Sequence, residues 1–289
     1  MPVRTLAPTR IRRVNICAIV VTYRRPETLS VTLRAIERQS LPASQIIVVD
    51  NDDDPEVLSL MTKCHPEARY LPSSKNAGYG AALAMGMRVA QTDHDPEWYW
   101  LLDDDTPPTT EALEGAIHVS ASNDQAWVVG NRGGRIVFGR IQHGFQDGAK
   151  INQADFTLVD GAVVSKEAVD AVGFPRTDLF MMLEDVEYTT RIADSGGQLF
   201  VRPVESTALH MGYSSPWRSY YQSRNHLRIA IDRRSLAWIF GWGSRTVGLC
   251  LADLKLKRWA QLRFRLVGAW DAVWNRMGSD RHAWLIAHQ

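Results

Sequence analysis

The stretch Trp98-Tyr99-Trp100-Leu101-Leu102-Asp103-Asp104-Asp105 runs an apolar, aromatic-rich strand directly into three adjacent carboxylates. Large apolar and aromatic residues favour a pleated, buried setting, so Trp98–Leu102 is expected to be a strand. Three neighbouring carboxylates repel one another, and capping a following helix would need only one of them. A hard divalent cation such as Mg²⁺ or Mn²⁺ removes that repulsion and suits oxygen ligands shared with substrate phosphates. Along an extended segment alternate residues share a face. Asp103 and Asp105 are therefore expected to point together toward ribose or metal, with Asp105 the firmer metal ligand and Asp104 secondary.

Working outward, Val14–Tyr23 and Gln45–Asp50 are further β-branched runs, separated by a helix that begins near Pro26 and places Leu29, Leu33 and Ile36 on one face. Strand–helix–strand order implies a parallel βαβ unit. The order repeats through a helix at Pro55–Cys64, a short strand at Ala68–Leu71 and a helix carrying Leu83, Met87 and Ala90. Beyond the acidic triplet come a helix at Thr109–Ser120 and a strand at Ala126–Gly130. The pattern weakens from Gly133 to Phe156, as expected of hairpins or a loop. It returns as a strand at Thr157–Ser165, a helix at Glu184–Ser195 stopped by Gly196 and Gly197, and a strand at Leu199–Val201. After about Tyr213 the chain reads as helical. The fold class is α/β, with a mostly parallel central sheet flanked by helices and a helical C-terminal appendage.

Ligands of open α/β sheets bind beyond the carboxyl ends of the strands. Three such ends are polar here: Thr22–Arg24, Asp50–Asp54 and Asp103–Asp105. A carboxylate at Asp50 can accept from a base N–H or a ribose hydroxyl, or it can serve a turn. The turn Lys75-Asn76-Ala77-Gly78-Tyr79-Gly80 before a helix permits close backbone approach. It matches neither a P-loop nor a dinucleotide fingerprint, which disfavours a dehydrogenase.

In this order the blocks resemble the family 2 inverting glycosyltransferases of the GT-A fold, in particular the bacterial rhamnosyl- and galactofuranosyltransferases that build cell-surface polysaccharides. The matching residues are Ile19-Val20-Val21-Thr22-Tyr23-Arg24, Val48-Val49-Asp50-Asn51, Asn76-Ala77-Gly78-Tyr79-Gly80, the acidic triplet, Asp160-Gly161-Ala162, Glu184-Asp185 and His210. The resemblance runs from about Val14 to Arg228. It implies donor contacts at Thr22, Arg24, Asp50, Asn76, Gly78, Asp103 and Asp104, and acceptor contacts at Asp160, Gly161 and Glu184. It further implies metal ligation by Asp103, Asp105 and His210, and a catalytic base at Asp185. The donor would be a UDP- or dTDP-sugar, with galactofuranose or rhamnose favoured, and the acceptor a glycan or polyprenyl-linked glycan. A nucleotidyltransferase is the competing enzyme, but its Gly-rich phosphate loop is missing at Thr22–Arg25. A non-catalytic nucleotide-sugar-binding module is a further alternative. Independently of family, Asp185 follows the apolar run Leu179–Leu183 and sits beside Glu184, a setting that raises a carboxyl pKa.

The net charge of +1 hides an asymmetry: residues 218–289 hold 13 Lys and Arg against 4 Asp and Glu, with six of the ten tryptophans. Trp217, Arg218, Tyr220, Tyr221, Arg224 and Asn225 could form a phosphate clamp, with Arg224 named as the contact, or simply pack on the sheet. Residues 235–289 form a basic, Trp-rich unit after an N-terminal extension 1–13 and a catalytic domain 14–234. That unit fits a helix on an anionic membrane surface, or a dimer interface, and its removal is expected to release the protein from membranes. No nucleic-acid module accompanies the charge, so nucleic acid is not an expected partner. Three dispersed cysteines and no apolar run of about 18 residues suggest a cytoplasmic protein that does not cross the membrane.

Overall fold

The computed structural model describes residues 14–123, 125–145, 150–204 and 215–288. Its first half is the expected alternation: β1 (Ile16–Thr22), α1 (Pro26–Glu37), β2 (Gln45–Asp50), α2 (Pro55–Cys64), β3 (Arg69–Pro72), α3 (Tyr79–His94) and β4 (Trp98–Asp103). β3, β2, β1 and β4 lie side by side and parallel, with Thr22 level with Asp50 and Val21 level with Asp103. The polar strand ends found in the sequence are thus brought to one edge of the sheet. Period-two alternation divides the core: Ile19, Val49 and Leu101 face α3 residues Leu83 and Met87, while Ala18, Val20 and Trp100 face Leu29, Leu33 and Ile36 of α1.

The second half is α4 (Ala112–Ala121), β5 (Ala126–Gly130), β6 (Gly133–Val137), β7 (Arg140–Phe145), β8 (Asn152–Ala154), β9 (Phe156–Thr157), β10 (Ala162–Ser165), α5 (Lys166–Val172), α6 (Glu184–Asp194) and β11 (Gln198–Val201). The main sheet has the order β3-β2-β1-β4-β10-β5-β11-β8, and β7-β6-β9 form a second, three-stranded sheet. The weak region Gly133–Phe156 is therefore largely hairpin, and the single strand expected at Thr157–Ser165 is two strands belonging to different sheets. Gly161, at φ +80°, lies in the turn between them. Helix α5 was not legible because Ser165, its cap, closes a β-branched run; the Ser165 hydroxyl accepts from Ala168 N.

Four helices complete the described residues: α7 (Arg218–Asp232), α8 (Leu236–Lys255), α9 (Trp259–Val273) and α10 (His282–Ala287). The boundary expected at 235 is not a seam. α9 and α10 bury Phe264 and Leu285 against Tyr220 and Tyr221 of α7. The Tyr220 hydroxyl donates to Asp271 at 2.9 Å, and Arg265 pairs with Asp253 at 2.8 Å, both buried. Removing α9 would strip these apolar contacts from α7 and leave the buried Tyr220 hydroxyl without its partner, so α9 packs as part of the same body.

Candidate active site

Beyond the carboxyl ends of β1, β2 and β4 opens a cleft of about 490 Å³. Its acidic wall starts where β4 ends. Strand alternation stops at Asp103, and Asp104 and Asp105 lie in a turn, so all three carboxylates converge, with ligand oxygens within 4.8 Å of one another. This corrects the expected division in which Asp104 pointed away. Asp104 is fully buried; it accepts from the Thr22 hydroxyl at 2.7 Å and from Arg25 Nη1 at 3.0 Å. The same Arg25 nitrogen reaches Asp105 Oδ2 at 2.7 Å. Asp103 has no such cation among the described residues, and its amide donates to Asp160 Oδ1 at 3.1 Å. Burial, then the charges of Asp104 and Asp160, push the Asp103 carboxyl well above the usual carboxylate range. Hard oxygens with uncompensated negative charge fit a divalent cation of the Mg²⁺ or Mn²⁺ type.

Another part of the cleft lining is a strained loop. Phe180, Met182 and Leu183 all have left-handed φ, between 63° and 69°. Such backbone persists only where its surroundings over-determine it. Here Asn225 Nδ2 donates to the carbonyls of Leu179, Met181 and Met182, Arg224 Nη2 donates to Leu179 O, and Tyr79 N donates to Phe180 O. The held loop delivers Glu184 and Asp185 to the cleft in the first turn of α6. Burial pushes Glu184 up to about 8, aided by the Asp185 charge, and pushes Asp185 up to about 6. Glu184 Oε2 is buried without a hydrogen-bond partner among the described residues, as is the Tyr79 hydroxyl, which also lines the cleft.

Gly78 locks the same loop rather than a ligand. At φ +92° it allows Phe180 O to approach where a Cβ would lie 2.1 Å away. Gly78→Ala is expected to lower stability by about 1–3 kcal/mol through its backbone conformation alone. The shifted loop should also lower activity more than the stability loss explains, measurable by urea unfolding beside initial rates on the folded fraction.

Several expected donor contacts sit elsewhere. Arg224 is no phosphate ligand, because its guanidinium is buried and spent on Asn225 Oδ1, Gly278 O and Leu179 O. Arg24 turns outward to pair with Asp52. Asp50 is buried and does not line the cleft, its carboxylate accepting from the Tyr70 hydroxyl and the amides of Asp52 and Asp54, which is the turn role. Asn76 does line the cleft, held by Asn51 Nδ2 at 3.1 Å. Asp160 lines it too, bound by Arg132 at 3.2 Å, whereas Gly161 is turned away against Asn131. His210 lies outside the described residues. Sequence reasoning missed Arg25, Tyr79, Gln222 and Arg245, and treated Arg218 only as one of an aromatic and basic cluster. Arg218 begins α7 and Arg245 is on α8; burial and neighbouring Arg265 and Arg140 disfavour the Arg245 charge, which a bound anion would relieve.

The sequence profile described as Glycosyl transferase family 2 matches residues 17–162, spanning β1 through the turn that carries Asp160. The chain is also 33% identical to galactofuranosyltransferase GlfT1 of Mycolicibacterium smegmatis, over 86% of this chain and 95% of that one. The chain belongs to glycosyl transferase family 2. GlfT1 of Mycobacterium tuberculosis is 25% identical over 79% of this chain and 88% of that one. Among solved structures, the mannosyltransferase PcManGT of Pyrobaculum calidifontis, in complex with GDP-Man and Mn²⁺, superposes with a TM-score of 0.62 at 14% identity, covering 93% of this chain and 90% of that one. The fold is GT-A, and this glycosyltransferase brings Asp103 and Asp104 of the acidic triplet and the Glu184-Asp185 pair into the lining of one cleft.

Proposed function

We propose that the chain is a metal-dependent, inverting galactofuranosyltransferase that moves galactofuranose from a UDP-sugar to a hydroxyl of a glycan or polyprenyl-linked glycan in cell-envelope polysaccharide synthesis. The observation that carries this reading is the raised Asp185 carboxyl in the same cleft as Asp103, in a chain one-third identical to a galactofuranosyltransferase. That relative's name turns the choice between galactofuranose and rhamnose to the former.

Asp103 and Asp105 would hold a Mn²⁺ or Mg²⁺ ion, whose chemistry there is to neutralise the charge of the departing nucleoside diphosphate. Asp185 takes the proton of the acceptor hydroxyl as that oxygen attacks the anomeric carbon. The bond from that carbon to the diphosphate breaks as the new glycosidic bond forms, and a single displacement inverts the centre. Arg218 and Arg245 oppose the diphosphate charge from the helical side. Glu184, kept protonated near neutral pH by burial, and the Tyr79 hydroxyl can donate to sugar hydroxyls, giving their orphaned polar atoms partners.

A panel of nucleotide sugars tests the reading. UDP-galactofuranose with Mn²⁺ is expected to raise the thermal unfolding midpoint and to be slowly hydrolysed, with dTDP-rhamnose and GDP-mannose weaker in both assays. No response to any UDP-sugar would remove the proposal.

A further inference from the structure

The exposed apolar residues of this chain concentrate on α8 and α9. On α8 they are Leu236, Ile239, Phe240, Val247, Leu251 and Leu254, and on α9 and its C-terminal cap Trp259, Leu266, Trp270, Val273 and Trp274. Their spacings keep each set on one helical stripe, facing away from the buried partners of α7. The three tryptophans are each about 60% exposed, and Leu236 is 83% exposed. Single exposed apolar side chains need no explanation, but a contiguous pair of stripes marks an interaction surface.

Charge selects the occupant. The corner joining the two helices, Lys255-Leu256-Lys257-Arg258-Trp259, is exposed at every position. The nearby acids are engaged inside the fold: Asp253 with Arg265, Asp271 with Tyr220 and Arg281, and Asp232 with Arg228 and Arg176. Lys255, Lys257 and Arg258 have no acidic partner among the described residues. A second copy of the chain would bring more unpaired cations to the face and no free acid of α8 or α9 among the described residues to meet them. An anionic bilayer complements it, accepting cations at its headgroups and tryptophan at its interface. Among the described residues no helix is long and apolar enough to cross a membrane.

We propose that the α8–α9 face is a docking surface for an anionic lipid bilayer, lying on the surface with the Lys255–Trp259 corner at the headgroups. α8 also carries Arg245 in the cleft wall, so docking would hold the cleft beside lipid-borne substrates. Only that consequence rests on the proposed function; the docking itself does not.

Removing residues after 235 would strip buried partners from α7, so surface substitutions in the full chain are the suitable test. Sedimentation with phosphatidylglycerol–phosphatidylcholine vesicles is expected for the unaltered protein at low salt, with little binding to pure phosphatidylcholine. The triple change Lys255→Gln, Lys257→Gln, Arg258→Gln should weaken that binding roughly a hundredfold, at about fivefold per cation. Trp259→Ser, Trp270→Ser, Trp274→Ser should weaken it at low and high salt alike, and wild-type tryptophan fluorescence should shift to the blue on vesicles. Should the tryptophan variant unfold, the charge variant carries the test alone. Absence of binding to the anionic vesicles, or binding unchanged in the charge variant, would overturn the proposal. A dimer seen by light scattering and dissolved by the tryptophan changes, without vesicle binding, would overturn it too.

Discussion

Asp185→Asn is expected to lower the transfer rate by roughly 10²- to 10⁴-fold, the ordinary worth of a general base, while UDP-sugar affinity changes little. Asparagine keeps the size of the side chain, and its carbonyl can still accept from Val186 N, the 2.7 Å bond that fixes the native rotamer. Loss of donor affinity in step with the rate would contradict the role. The pH dependence sharpens the test. A base works only deprotonated, so the wild-type rate should rise with pH through about 6, where burial has moved the Asp185 carboxyl. Because Glu184 titrates beside it, pushed up to about 8, the profile reports the pair rather than either acid alone. Stability should run the other way. Between the unfolded carboxyl pKa near about 4 and these raised folded values, the native state binds more protons, so stability falls as pH rises. Glu184→Gln and Asp185→Asn should therefore each raise the thermal midpoint at pH 8 relative to wild type. Activity lost together with stability gained distinguishes an acid held for chemistry from one held for packing.

Asp103→Asn should cost about 3 kcal/mol of transition-state stabilisation, roughly a hundredfold in rate, if it holds the cation against the diphosphate. Its second signature is in binding. Titration calorimetry with UDP should show Mn²⁺ strengthening the wild-type complex and leaving the variant nearly indifferent. Asp105→Asn should act in the same direction. Asp104→Asn should instead disturb the buried contacts with Arg25 and Thr22, with less effect on Mn²⁺ dependence than Asp103→Asn. An Asp103→Asn enzyme that keeps its Mn²⁺ dependence would shift ligation to other residues.

Much of the site was legible because its parts stand where strands end. Apolar runs announce β1, β2 and β4, and an acid or hydroxyl directly after such a run must lie at the ligand-binding edge of a parallel sheet. Thr22, Asn76, Asp103, Asp160, Glu184 and Asp185 were found this way and by resemblance. Arg224 shows how the same reasoning goes astray. An arginine among tyrosines in a basic helix suits phosphate as well as it suits buried carbonyls, and only packing says which it meets. The structure turns it to Leu179 and Gly278 and puts Arg218 and Arg245 at the cleft instead. Arg245 carried no local signal, since it lies far along the chain on α8.

The sequence by itself determined the βαβ order, the placement of the acidic triplet at the end of β4 and the choice of the Glu184-Asp185 pair as a candidate for the chemistry. Each of these follows from periodicity, strand termination or the order of motifs along the chain. Tertiary structure alone decided which carboxylates are free and which are spent. Asp50 and Asp104 are consumed by hydroxyl, amide and guanidinium partners drawn from distant segments, while Asp103 and Asp185 stay uncompensated. Whether an acid is structural or reactive depends on burial and on long-range partners, quantities that a local pattern of residues does not contain.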